Sequence, residues 1–264
     1  CNNIIIKSIG RKKKIMMKKT IFFMLCLAPL GAQAATAITV ESGNGYTTDT
    51  GFTVNSMYIG TAIPAPAPDD TFYAGPDVSK TDFTIRSDGD IAVNGVLDIT
   101  DGYSLGIGVD AIPETPNTIN ISFGSIDAGG ALRIEDADAF TVSGSVEVAS
   151  GFSVIANTMK TGAINVTGGN TNLTVAGELN MGQFIDTGTG DVNITAGSIT
   201  AGTIQNGQIL GAGTVAPAEN MNIKQGGDIT SSGSIYNSGT MTIGRIEEND
   251  VVNMDVTGVI TNDS

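Results

Sequence analysis

Isoleucine returns through the second half of this chain at intervals that no single regular element can hold on one side. Ile194, Ile199, Ile204 and Ile209 are five residues apart, with Gly197, Gly202 and Gly207 at constant phase between them, and Ile229, Ile235 and Met241 are six apart. A flat strand alternates its side chains with period two, so a spacing of five throws successive isoleucines to opposite faces. Each is therefore expected on its own short strand. Corners at glycine, where no Cβ obstructs a tight turn, return every isoleucine to one shared interior. The clearest copy of the cadence is Gly233-Ser234-Ile235-Tyr236-Asn237-Ser238-Gly239-Thr240-Met241.

A longer period is laid over this one. Apolar-x-Gly-x-apolar units stand at Val93-Asn94-Gly95-Val96-Leu97, Val142-Ser143-Gly144-Ser145-Val146 and Val175-Ala176-Gly177-Glu178-Leu179, with looser copies around Gly124, Gly197, Gly233 and Gly258. These glycines are on average about 27 residues apart, the length of one unit in a stacked repeat architecture. Roughly seven coils at about 4.8 Å each predict a rod near 35 Å long. Unequal spacing predicts loops of unequal length, at 111–118 and 211–220. Asn94, Asn165, Asn193 and Asn237 are candidates for coil-to-coil side-chain ladders, with a solvated turn as the alternative for each.

Composition supports a folded, narrow interior. Apolar residues make up 41% of the chain and aromatic ones 5%, without tryptophan, and mean hydropathy is +0.13. Such a chain is too apolar for an acidic disordered segment, and its core must be filled by Ile, Val, Leu and Ala.

The leader fixes the address. Met17-Lys18-Lys19-Thr20, the apolar stretch Ile21 to Leu30 and Ala32-Gln33-Ala34 read as a secretory signal peptide over 17–34, with Ala35 the first mature residue. The apolar stretch is about half of the roughly 20 residues a bilayer span needs. Residues 1–16, with Arg11-Lys12-Lys13-Lys14 and no initiating Met, read as an upstream basic extension or untranslated sequence. Seven of the 13 Lys and Arg precede residue 20, while all 27 acids follow it, so six cations against 27 acids give the mature part a net charge of −21. Both cysteines, Cys1 and Cys26, fall outside the mature part, so its stability owes nothing to disulfides. Phosphate would be repelled by so acidic a surface, which excludes nucleic acid as a partner. Residues 35–81, with Ala62-Ile63-Pro64-Ala65-Pro66-Ala67-Pro68, read as an irregular N-terminal cap, since Pro lacks the N–H a ladder needs. Residues 82–264 carry the repeats, which are expected to continue beyond Ser264.

The repeats at Gly233 to Met241, Gly202-Thr203-Ile204-Gln205-Asn206-Gly207-Gln208-Ile209, Gly190-Asp191-Val192-Asn193-Ile194-Thr195-Ala196-Gly197 and Asn172-Leu173-Thr174-Val175-Ala176-Gly177-Glu178-Leu179 resemble those of filamentous-haemagglutinin-like adhesins and autotransporter passenger domains. The resemblance covers roughly residues 82–264. It implies an all-β, right-handed parallel β-helix (β-solenoid) on a Gram-negative surface, reached by transit through the periplasm and with an outer-membrane translocation partner.

No His occurs anywhere and no Cys in the mature part, which removes Ser-His, Cys-His and His-metal chemistry. Carboxylates remain. Asp88-Gly89-Asp90, Glu135-Asp136-Ala137-Asp138 and Glu247-Glu248-Asn249-Asp250 are read as solvated loop charge, with weak Ca²⁺ binding and catalytic pairing as the lesser alternatives, since none matches an EF-hand loop or a Gly-Gly-x-Gly-x-Asp repeat. Gly106-Ile107-Gly108 lacks the third glycine of a dinucleotide fingerprint. No catalytic, cofactor-binding or metal-ligating residue is assigned. The expectation is a non-enzymatic, exported adhesive or structural rod at the cell surface. It would present loops to a glycan or protein ligand, with no membrane insertion of the mature segment. The alternatives are a carboxylate-based polysaccharide-active β-helix, and tandem immunoglobulin-like adhesin domains, whose antiparallel strands need longer alternating runs than these.

Overall fold

The computed structural model describes residues 2–6, 36–40, 45–61, 70–75, 82–108, 119–207, 220–246 and 253–262. Over these residues the protein is all-β, without a helix, and every strand pairing is parallel. The proposed leader at 17–34, the Pro-Ala run at 62–68, the acids at 247–250 and the loops at 111–118 and 211–219 lie outside the described residues.

The pairings sort the chain into three ladders, visited in the same order on each circuit. The fifth, sixth and seventh circuits are single bent strands, Phe152–Val166, Thr171–Asp186 and Val192–Asn206. Ladder I carries their opening residues, where Phe152 pairs with Thr171 and Thr171 with Val192. Ladder II carries the middle, with Met159 against Leu179 and Leu179 against Ile199. Ladder III carries the end, with Ile164 against Phe184 and Phe184 against Ile204. The first circuit is Gly45–Thr48, Phe52–Val54 and Ser56–Ile59, so the ladders begin within the segment 35–81. The ninth is Met241–Arg245, Met254–Val256 and Ile260–Asn262. Eight steps of about 4.8 Å make a stack of nine coils about 38 Å long. Ladder III runs further at one end, where Ser56–Ile59 pairs with Thr71–Ala74, that strand with Thr36–Val40, and Thr36–Val40 with Asn2–Ile6.

The isoleucine spacing has a simple cause. Ile194, Ile199 and Ile204 sit on ladders I, II and III of one coil, all at most 1% exposed. Strand alternation holds along each side and slips by one at each corner, where Gly197-Ser198 and Gly202-Thr203 both stay out of the core before the next isoleucine turns in. Ile229 and Ile235 repeat the pattern one coil later, and Ile209 lies outside the described residues. The resulting core is one continuous cluster of stacked columns. Aromatics gather toward its start, where Phe52 and Phe72 stack at 5.4 Å and Tyr46 meets both edge-on. In the ninth coil Met254 and Ile260 are 41% and 48% exposed.

Coils without an insertion repeat at intervals near 20 residues, shorter than the average of 27, and insertions lengthen the others. Gly124, Gly144, Gly162, Gly182 and Gly202 occupy one corner, between ladders II and III, at intervals of 20, 18, 20 and 20. The average of 27 mixed that corner with Gly177 and Gly197, which stand at the corner between ladders I and II, and it absorbed the long intervals around 109–118 and 208–219. At the first corner each glycine lies directly on its counterpart. A Cβ on Gly144, Gly162, Gly182 or Gly202 would approach the carbonyl oxygen of the preceding glycine in the column closer than 3.0 Å.

That column generates a stability prediction. Gly182→Ala must push a methyl group into the Gly162 carbonyl and should cost about 1–3 kcal/mol, as overpacking does elsewhere. Gly244→Ala meets nothing within 4 Å and should stay within about 0.5 kcal/mol of the parent. Urea midpoints of the two variants check the contrast.

Candidate functional site

With the interior filled by apolar columns, chemistry is left to the outward columns and the corners. The column most unlike a solvated strand face is the middle of ladder III. Its outward residues, coil by coil, are Tyr58, Asp98, Asp127, Glu147 and Asn165, each paired with the next. Parallel in-register pairing places three carboxylates one strand spacing apart, about 4.8 Å, and like charges directly opposite one another oppose pairing. Asp98 registers this. Partial burial holds its carboxyl above the usual carboxylate range, and the charge of Asp127 adds to the effect. The column ends differently on its two sides. Tyr58 stacks on Tyr73 with ring centroids 5.3 Å apart, and Asn165 donates its amide to Glu147 Oε2 at 2.7 Å.

The acid clusters read from sequence are divided among other partners. Asp90 Oδ1 accepts the backbone N–H of Asn120 at 2.7 Å and also its side-chain amide. Glu135 takes Arg86 at 2.5 Å and Arg133 at 2.6 Å on separate oxygens. Arg86 reaches it across the third coil by passing Gly108, where a Cβ would strike the guanidinium. Asp136, next in sequence, holds a positive φ of 62°, a region Asp tolerates better than most residues. Asp138 accepts the Asn157 amide at 3.0 Å. Among the described residues no group of three acids is placed to hold a metal ion.

The asparagines form two kinds of ladder. On the outward face of ladder I, Asn193 donates to Asn172 Oδ1 at 3.1 Å and Asn222 to Asn193 Oδ1 at 3.0 Å. Inside ladder III, Asn206 donates to Asn237 Oδ1 at 2.8 Å, and both residues are fully buried. Of the four candidate asparagines, Asn165, Asn193 and Asn237 thus bond to a neighbouring coil, while Asn94 is an exposed residue whose carbonyl packs beneath Gly124. Asp186 occupies the buried column of Asn206 one coil earlier. It accepts the Thr171 hydroxyl and the Gly188 N–H, each at 2.9 Å. Burial raises its pKa, and these two bonds pull it the other way.

Neither Asp98, Asp127 and Glu147 nor Asp186 stood out in the sequence, because none lies in an acidic run. A signal was present in the triplets Leu97-Asp98-Ile99, Ile126-Asp127-Ala128 and Val146-Glu147-Val148, each an acid between two inward apolar residues. Reading them as one column requires the register. Comparison with protein-family models, curated proteins and solved structures returned no match.

The carboxylate column predicts a stabilising neutralisation. The folded pKa of Asp98 is raised, so its contribution to stability is complete below the unfolded value and is lost as pH rises through the folded one. Asp127→Asn removes one cause of that shift and one like-charge contact on each side. It should raise stability at neutral pH by about 0.2–1 kcal/mol, soften the decline with rising pH, and lose much of this advantage in high salt. Urea unfolding at two ionic strengths measures all three, and a lowered midpoint at low salt would contradict the repulsion.

Proposed function

We propose that the three ladders wind as a right-handed parallel β-helix, and that the protein is an exported bacterial surface rod with a structural or adhesive role. The observation that carries this reading is the parallel stacking of nine coils, ladder on ladder, around an interior rich in Ile, Val, Leu, Phe and Met. Its outward columns are the surfaces left for recognition. The signal-peptide pattern at 17–34 and the texture of the repeats support export and display on a Gram-negative surface. A mature charge of −21 favours a neutral or cationic ligand, a glycan or a basic protein face, over any polyanion. The insertions at 62–69, 109–118 and 208–219 are the candidate presenting loops.

Small-angle scattering of the exported chain should give an elongated particle, and the purified chain should bind host or neighbour-cell surfaces saturably and block adhesion of the bacteria that display it. A compact particle would remove the rod. Saturable binding absent from a broad glycan and cell-surface panel would remove the adhesive role.

A second reading has one observation in its favour. Asp98 and Asp127 are adjacent carboxylates, one with a raised pKa, next to stacked tyrosines. A retaining glycosidase uses two carboxyl groups about 5–5.5 Å apart, one of them protonated. Depolymerisation of neutral or basic polysaccharides that disappears in Asp98→Asn would establish this chemistry, and a blank substrate panel would retire it.

A further inference from the structure

One column of ladder III changes character halfway along the stack. Its inward residue is Ile59, Ile99, Ala128, Val148 and Val166 in the first five coils, then Asp186, Asn206 and Asn237 in the next three. All three polar residues are fully buried. A buried polar group without a partner is costly, so every donor and acceptor here should be matched. One is not. Asn206 gives its Nδ2 forward to Asn237, yet its Oδ1 is buried with no hydrogen-bond partner. In a side-chain amide the oxygen lies opposite the nitrogen, so with Nδ2 aimed at the eighth coil Oδ1 is turned back toward the sixth, where the paired residue is Asp186.

We propose that Asp186, Asn206 and Asn237 form a proton-controlled hydrogen-bond ladder inside the stack, whose direction is set by the protonation of Asp186. With the carboxyl neutral, its O–H donates to Asn206 Oδ1, and Asn206 Nδ2 donates to Asn237. This fills the vacant acceptor and leaves the bonds from Thr171 and Gly188 in place. When the proton leaves to solvent, Asp186 becomes acceptor-only and faces another acceptor. The ladder must then reverse. Asn206 turns its amide so that Nδ2 donates back to Asp186, and its Oδ1 accepts from Asn237. Each direction is internally matched, and a mixed arrangement sets acceptor against acceptor or donor against donor, so the three residues switch together.

The surroundings favour the neutral form. Asp186 is met by Val166 from the preceding coil, by Thr171 and the Gly188 amide from its own, and by Asn206 from the next. None of these is charged, and no ionised side chain contributes to its shift, which comes from burial opposed by the two hydrogen bonds. The folded pKa is raised, so the stabilisation linked to this group is complete below its unfolded value and is lost as pH rises through the folded one. The device therefore tightens coils six to eight in acid and loosens them as pH rises through the folded pKa.

Side-chain NMR on the intact protein tests this. The Asp186 carboxyl carbon should titrate above the range of the exposed aspartates, and the Asn206 and Asn237 Nδ2H2 resonances should move with the same midpoint. In Asp186→Asn the two amide signals should become independent of pH. If that variant does not fold, Asp186→Val restores the residue type of the two preceding coils and should give the same invariance. Titration of Asp186 within the ordinary carboxylate range would overturn the proposal. So would Asn206 amide signals that stay fixed while the carboxyl titrates, or that still move in either variant.

Discussion

Parallel, in-register stacking is the constraint on which the rest of this structure depends. It places each residue directly against its counterpart one circuit away, at about 4.8 Å between backbones. A residue's closest chemical neighbours are thus found about 20 positions along the chain, and compatibility is decided column by column. Apolar columns satisfy the rule without cost, as from Ile121 through Phe140, Met159 and Leu179 to Ile199. Glycine columns satisfy it at the corner, where the backbones come too close for a Cβ. Amide columns satisfy it because each carries both donor and acceptor, so Asn172, Asn193 and Asn222 bond in series. A carboxylate column alone violates it, since ionised acids can only accept and repel one another.

Much of this was legible in the residues because the constraint writes itself into spacing. Five residues between isoleucines is the length of one side plus its corner, and the corner glycines carried the turn positions correctly. The size of the repeat was not legible in the same way. Gly144 and Gly177 look alike in sequence, each flanked by apolar residues at the same offsets, but they belong to different corners. Only the register distinguishes them, because a corner is defined by what it stacks on and not by its own neighbours. The Asp98, Asp127 and Glu147 column was hidden for the same reason. Conversely, the acidic runs drew notice by local density, and the structure gives Asp90, Glu135 and Asp138 separate partners: Asn120, the two arginines and Asn157.

The insertions follow from the same geometry. An insertion is tolerated where the chain leaves one ladder and joins the next without displacing a stacked neighbour. Residues 109–118 separate ladder I from ladder II in the third coil, and residues 208–219 separate the seventh coil from the eighth. On either side of each, the pairing resumes in full: Ile91 meets Ile121, and Val192 meets Met221. Loop closure costs grow slowly with length, so the scaffold can vary its projections while its columns stay fixed. This separation of a fixed stack from its insertions supports the proposed role in presenting surfaces.

Against that background the outward acids of ladder III carry more weight than their number suggests. Most other outward columns of this stack carry no such run of like charges, and places where local compatibility fails are where function is most often found. Arg86 and Arg133 offer no relief there, since both are committed to Glu135. Asn165 donates a hydrogen bond to one oxygen of Glu147, and Asp98 and Asp127 are left facing each other. A cationic or hydroxyl-rich partner laid along this column would supply the donors that its own neighbours lack. The same repulsion that weakens the isolated stack would then become affinity.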